Sequence, residues 1–155
     1  YNSLLYINRN NAETKRYQEE GLKLLSGKVD SLPSKIAFRP KFIKQSSCIK
    51  VFDKLYLFIS KANIKKPVEE RFDALFHEIG HWLHFQNIPP LKECREVWKN
   101  ANLEKIKEDV SEYAVKKDDG REFVAEVFKG LVKGKKYDEY IMNLYKRLHG
   151  PIPHD

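Results

Sequence analysis

Cysteine is scarce in this sequence, with two in 155 residues, and no apolar run approaches the roughly 18–20 residues that a bilayer span needs. Cys48 and Cys94 are too few for a disulfide framework, and their separation does not suit a zinc knuckle. They read as two buried thiols, with a single bridge between them as the alternative, so the cysteines leave the compartment open. Internal repeats and low-complexity tracts are absent, which excludes solenoid and tail architectures. The opening Tyr1-Asn2-Ser3-Leu4-Leu5-Tyr6 has no basic flank before an apolar stretch and no initiator Met. No signal peptide is therefore expected, and the chain reads as an excised domain or a mature product.

What is present suits one folded domain over residues 1–155. Hydrophobic residues make up 41% and charged residues 33%, neither a disordered nor a membrane composition. The length is enough to bury a core without covalent staples. The net charge is +7, which would suit nucleic acid, anionic lipid or an acidic polypeptide. The lysines, however, are spread from Lys15 to Lys146 with only short groups such as Lys65-Lys66 and Lys135-Lys136. No aromatic-interleaved basic strand and no helix-turn-helix pattern accompanies them, so nucleic acid is not indicated and a solvated lysine-rich surface is expected.

Periodicity divides the chain into elements. Ala12, Tyr17, Leu22, Leu24 and Leu25 predict an amphipathic helix over 10–26, ending near Gly27. Residues 35–39 alternate like a strand stopped by Pro40, and 47–60 read as a hairpin turning at Asp53-Lys54. From Pro67 the period changes to that of a helix, with Val68, Phe72, Leu75, Phe76, Ile79 and Leu83 on one stripe and Asn87-Ile88-Pro89-Pro90 as its stop. Further helices are expected from about Leu91 to Val110, through Phe123–Val132, and over Tyr137–Leu148. Strands followed by helices predict an α+β domain: a small, mainly antiparallel sheet packed on the Pro67 helix, with a helical C-terminal half. Residues 1–66 would supply one helix and the strands, and 67–155 the helices carrying the site.

That helix contains His77-Glu78-Ile79-Gly80-His81. Histidines at i and i+4 lie on one helical face about 5–6 Å apart, a separation one zinc ion can bridge. Glu78 is turned about 100° away, where it can reach a water on the metal and act as general base. Chance would produce the pattern in roughly 0.014 of chains of this composition. The histidines are expected opposite the apolar stripe, on a face shared with Asp73, Gly80 and His84. A glycine there costs about 1 kcal/mol of helix stability against alanine, so its presence suggests another element approaching closely. His84 lies about 10.5 Å beyond His77 along the axis, too far to share the ion, and reads either as a cleft-lining or supporting group or as a solvated histidine. A third histidine six positions after His81 would mark a metzincin; Asn87 stands there, which excludes that class.

A catalytic zinc takes three protein ligands and keeps one position open. Only His149 and His154 remain among the histidines, at the C-terminal end, so a carboxylate is the better third ligand. Glu93, Glu96, Glu104, Glu108 and Asp109 fall in a lysine-rich helix and read as solvated. Glu122 and Glu126 lie four apart on a helix whose other side is apolar. If Glu122 binds zinc, Glu126 can accept the free ring N–H of a ligand histidine; an exposed glutamate pair is the alternative.

The pairing of His77-Glu78-Ile79-Gly80-His81 with Ser111-Glu112-Tyr113-Ala114 and Glu122-Phe123-Val124-Ala125-Glu126-Val127-Phe128 resembles the anthrax lethal factor-type catalytic domains and the related Pro-Pro endopeptidases. Both are gluzincin-type zinc metalloproteases. The resemblance covers roughly the second half of the chain, or from about Ala37 with the strands. It implies a zincin-like fold and one Zn2+ held by His77, His81 and Glu122, with Glu78 as base and Glu126 behind a ligand histidine. It also implies that Tyr113 hydrogen-bonds the tetrahedral oxyanion. Nine positions separate Tyr113 from Glu122, longer than that family's spacing, and Tyr137 and Tyr140 are the alternatives for this role. His-Glu-Ile-Gly-His followed by Trp-Leu-His also resembles prophage repressor-cleaving peptidases, which place their glutamate closer. Similar domains are appended to phage head proteins and secreted toxins, so the resemblance implies a larger parent that is secreted or virion-associated.

The expectation is thus a zinc-dependent endopeptidase acting on a polypeptide substrate, which could add as an extra strand to the sheet edge. No membrane partner is expected. The alternatives are a non-catalytic zinc-containing interaction module of a phage structural protein or toxin, and a basic nucleic-acid-binding module. Glu78 speaks against a purely structural zinc site, which has no use for it.

Overall fold

A computed structural model of the protein describes residues 11–154. Residues 1–10 and 155, including the opening segment on which the leader expectation rests and the first residue of the helix expected over 10–26, lie outside the described residues. The described chain is mixed α+β, with six α-helices and one three-stranded sheet. No helix among the described residues is long and apolar enough to cross a membrane.

The first helix, α1 (Ala12–Leu25), starts where Asn11 and Thr14 exchange side chain-to-backbone hydrogen bonds, 2.9 Å in each direction. Strands β1 (Ala37–Arg39), β2 (Ser47–Val51) and β3 (Lys54–Ser60) follow. Their order is β1-β3-β2, with β3 central. β2 pairs antiparallel with β3, as a hairpin must, but β1 runs parallel to β3, Phe38 standing opposite Ile59. The sheet is therefore mixed rather than mainly antiparallel, because the 40–46 connection returns the chain so that β1 takes the far side of β3. The hairpin turns at Phe52-Asp53, one position before the expected Asp53-Lys54, and both residues adopt positive φ (49° and 67°).

Helix α2 (Asp73–Gln86) carries the histidine motif. It starts six residues later than expected: Glu70 N–H bonds Pro67 C=O and Asp73 N–H bonds Glu70 C=O, forming successive turns instead of helix. Tyr17 Oη donates to the Arg71 carbonyl at 2.7 Å, occupying an acceptor that a longer helix would use. Val68 is accordingly exposed rather than part of the core. The expected 91–110 helix is two, α3 (Leu91–Lys99) and α4 (Leu103–Asp109). Asn102 separates them by capping α4, its side chain accepting from Lys105 N–H at 3.1 Å. Helices α5 (Arg121–Val132) and α6 (Glu139–Arg147) complete the chain, with Asp138 capping α6 so that Tyr137 stays outside it.

One core joins these elements. Phe38, Leu57 and Ile59 of the sheet meet Leu75 and Ile79 of α2, and α5 adds Phe123, Val124, Val127 and Phe128. The contacts of α2 run to β2 and β3 on one side and to α5 on the other. The site helix is thus sandwiched between the sheet and α5, and the histidine face, expected opposite the buried stripe, is buried as well. Both cysteines are free thiols, Cys94 buried and Cys48 half-buried.

Candidate metal centre

Two helices supply the site, and two small residues set their approach. A Cβ on Gly80 would come within 3.2 Å of Ala125 Cα and Phe128 Cβ, so α5 lies directly against this glycine of α2. Gly120 precedes α5 at φ 79°, and a Cβ there would also strike Leu148 and Trp98. The chain can therefore reverse and start α5 with Glu122 in its first turn, facing the histidines.

The ligand atoms of His77, Glu78 and His81 all lie within 4.8 Å of one another, a buried group that could hold a metal ion. Glu122 reaches both histidines of this group. Its Oε1 is 3.0 Å from His77 Nε2 and 2.8 Å from His81 Nε2. One turn along α5, Glu126 Oε2 lies 2.8 Å from His77 Nδ1. An ionised carboxylate only accepts, so His77 Nδ1 donates to Glu126. In the neutral ring, Nε2 is then a lone pair facing a carboxylate oxygen at 3.0 Å. Two acceptors at that distance require a cation, either a proton on the imidazole or a metal ion between them. The ligand atoms of one tetrahedral zinc stand about 3.4 Å apart, so a slight opening of this cluster suits an ion. The residues fit such a group.

The charges follow the contacts. Burial opposes protonation of His77, but the hydrogen bonds to Glu122 and Glu126 outweigh it and raise its pKa to about 9. For Glu122 and Glu126 burial favours the neutral acid, and hydrogen bonds to the histidines reverse this and hold both well below the ordinary carboxylate range. Glu78 goes the other way. It is 6% exposed, makes no hydrogen bond among the described residues, and burial pushes its pKa up despite both histidines.

Tyr113 sits in a short 3-10 helix (Tyr113–Val115) and is 46% exposed, its ring edge-on to His77 at 5.4 Å between centroids. The alternatives make other contacts. Tyr140 Oη accepts from Asn102 N–H at 2.8 Å, and the Tyr137 ring covers Gly130. His84 is neither solvated nor in a cleft: it is buried, and its Nε2 donates to the Leu148 carbonyl at 2.8 Å. Glu93, Glu96, Glu104 and Glu108 are exposed, and Asp109 pairs with Lys105. His154 pairs with Asp30 at 2.7 Å.

Phe85, Ser111 and Lys129 are neighbours of the cluster to which the sequence gave no role. Phe85 stacks on the His81 ring at 5.2 Å, and its position one helical turn after His81 is the signal that could have found it. Ser111 and Lys129 both bond Glu126; Lys129 follows Glu126 by three positions, whereas no local spacing ties Ser111 to it. Comparison of the chain with protein-family models, curated proteins and solved structures finds no match.

Proposed function

We propose that the chain is a zinc-dependent endopeptidase domain of the gluzincin type and zincin-like architecture, with His77, His81 and Glu122 holding one Zn2+. The observation that carries this reading is the meeting of Glu122 Oε1 with Nε2 of both histidines, beside a buried Glu78 without a hydrogen-bond partner among the described residues. Two imidazoles, one carboxylate and an open fourth position are the ligands of a catalytic rather than a structural zinc. When bound, the ion would supply Lewis acidity and make a water molecule acidic near neutral pH.

The remaining work falls to the chain. Glu78 takes a proton from the attacking water and returns it to the leaving amine; the raised proton affinity that burial gives it suits both steps. Tyr113 keeps its phenolic proton, since burial and then Glu122 raise its pKa. It can therefore donate to the oxyanion from the open side of the cluster. Glu126 holds His77 in the tautomer that leaves Nε2 free to coordinate. Strand β2 lies at the edge of the sheet and packs on α2, so an extended polypeptide pairing with it would lie along the site helix.

The test is Glu78→Gln in the zinc-loaded protein, with zinc content and cleavage of a peptide library measured together. Zinc content should stay at the wild-type level while cleavage falls at least about 100-fold. Equal cleavage by both forms refutes the base assignment. Zinc in both forms with cleavage in neither supports the non-catalytic interaction module instead.

A further inference from the structure

We infer that Ser111 is a positioning residue that locks the metal-ligand histidine and the Tyr113 turn into one hydrogen-bonded unit. The inference rests on the metal reading above and concerns a residue to which that reading gives no task.

The polarity of the network follows from its chemistry. Glu126 accepts from His77 Nδ1–H at 2.8 Å through Oε2 and from Ser111 Oγ–H at 2.9 Å through Oε1. The single hydroxyl hydrogen of Ser111 is thereby committed, and its oxygen is free only to accept. Ala114 N–H supplies that partner at 3.2 Å, from inside the turn that carries Tyr113. The relay runs from ligand imidazole to carboxylate to hydroxyl to turn amide, and no link can reverse while Glu126 is ionised. Ser111 is itself anchored, its N–H bonding the Ile106 carbonyl at the end of α4. Lys129 also reaches Glu126, but its two contacts are longer, 3.1 and 3.3 Å, and shared between both oxygens. It supplies charge without fixing the rotation of the carboxylate.

Without the hydroxyl, Ala114 N–H would lose its partner and Glu126 Oε1 would keep only the longer contact with Lys129. The carboxylate could then turn about its bond to His77, and the Tyr113 ring would lose the support of its turn. Groups behind a metal ligand typically change metal affinity 10- to 100-fold when removed. Ser111 stands one step further out, so about tenfold is expected.

The experiment uses the full chain loaded with Co2+, whose visible absorption reports ligand geometry. Affinity is measured by competition with a chelator for wild type, Ser111→Ala and Ser111→Thr. The alanine variant should bind Co2+ about tenfold more weakly with a shifted absorption band, and threonine, which restores the hydroxyl, should recover both. Wild-type affinity and spectrum in the alanine variant overturn the inference, as does a folded threonine variant that recovers neither. Should the alanine variant not fold, Ser111→Cys, similar in size but a weak donor, carries the same comparison with the same two outcomes. Failure of the wild-type protein to bind Co2+ or Zn2+ would instead overturn the metal reading itself.

Discussion

Glu122 and Glu104 have the same side chain in opposite surroundings. The Glu104 side chain is 88% exposed and among the described residues meets only Lys107, at 3.6 Å, whereas Glu122 faces two imidazole nitrogens. Glu122→Ala should therefore weaken zinc binding on the order of 100-fold or more, while Glu104→Ala leaves it unchanged; competition against a zinc-chelating dye decides between them. The reverse pattern would move the third ligand to another residue. At this scale the sequence was most informative where chemistry depends on local spacing. The i, i+4 pairs His77/His81 and Glu122/Glu126 could be read because one helical turn brings each pair onto one face. The task proposed for Ser111 could not, because it depends on how a turn after α4 meets the side of α5. The burial of His84 escaped for the same reason, its partner being the carbonyl of a residue 64 positions away.

Strands were legible in number and kind and helices in kind, but one expected helix is two and the ends of the elements were not legible, for particular reasons. Val68 matched the helical stripe, yet Tyr17 takes the Arg71 carbonyl and the helix starts after it. Asn102 caps α4 in the middle of a run that periodicity joined into one helix. Gly80, by contrast, was legible as a place of close approach. An alanine there gains about 1 kcal/mol of helix propensity but sets its methyl 3.2 Å from the Ala125 Cα, which cannot step aside as a side-chain tip could. Overpacking typically costs about 1–3 kcal/mol. Gly80→Ala should thus lower Tm by a few degrees in differential scanning calorimetry, about 2–4 °C per kcal/mol at this size. A rise in Tm would show that α5 shifts freely on α2. The hairpin gives the opposite sign. Phe52, 96% exposed, and Asp53 both occupy left-handed backbone without burying an apolar side chain in return. Replacing the pair with Asn-Gly should stabilise the fold by about 1 kcal/mol, measurable as a higher urea midpoint at unchanged slope.

Strand order is a property of the whole molecule, which is why the parallel β1–β3 pair was not visible in a sequence that predicted a mainly antiparallel sheet. The same long reach ties the site helix to the far end of the chain. His84, on the last turn of α2, donates through Nε2 to the Leu148 carbonyl, so its buried Nδ1 is the unprotonated nitrogen and has no partner among the described residues. A proton added there would enter a buried place with no acceptor. Burial accordingly lowers the His84 pKa to about 4 from the ordinary 6.5; the charges of His81 and His149 act in the same direction, and the Leu148 bond and Asp119 act against it. Between these values the unfolded chain binds a proton that the folded chain refuses. The stability His84 permits is therefore complete above about pH 6.5 and is lost as pH falls toward 4. His84→Gln keeps a donor for Leu148 and removes the titration. Between pH 7 and about pH 4.5, urea unfolding of the metal-free wild type should lose about 2 kcal/mol more than the variant does. The remaining titrating groups are common to both proteins and cancel in the comparison. Equal losses would mean that protonated His84 finds a partner in the folded state, and that the contact between α2 and the end of α6 tolerates a charge.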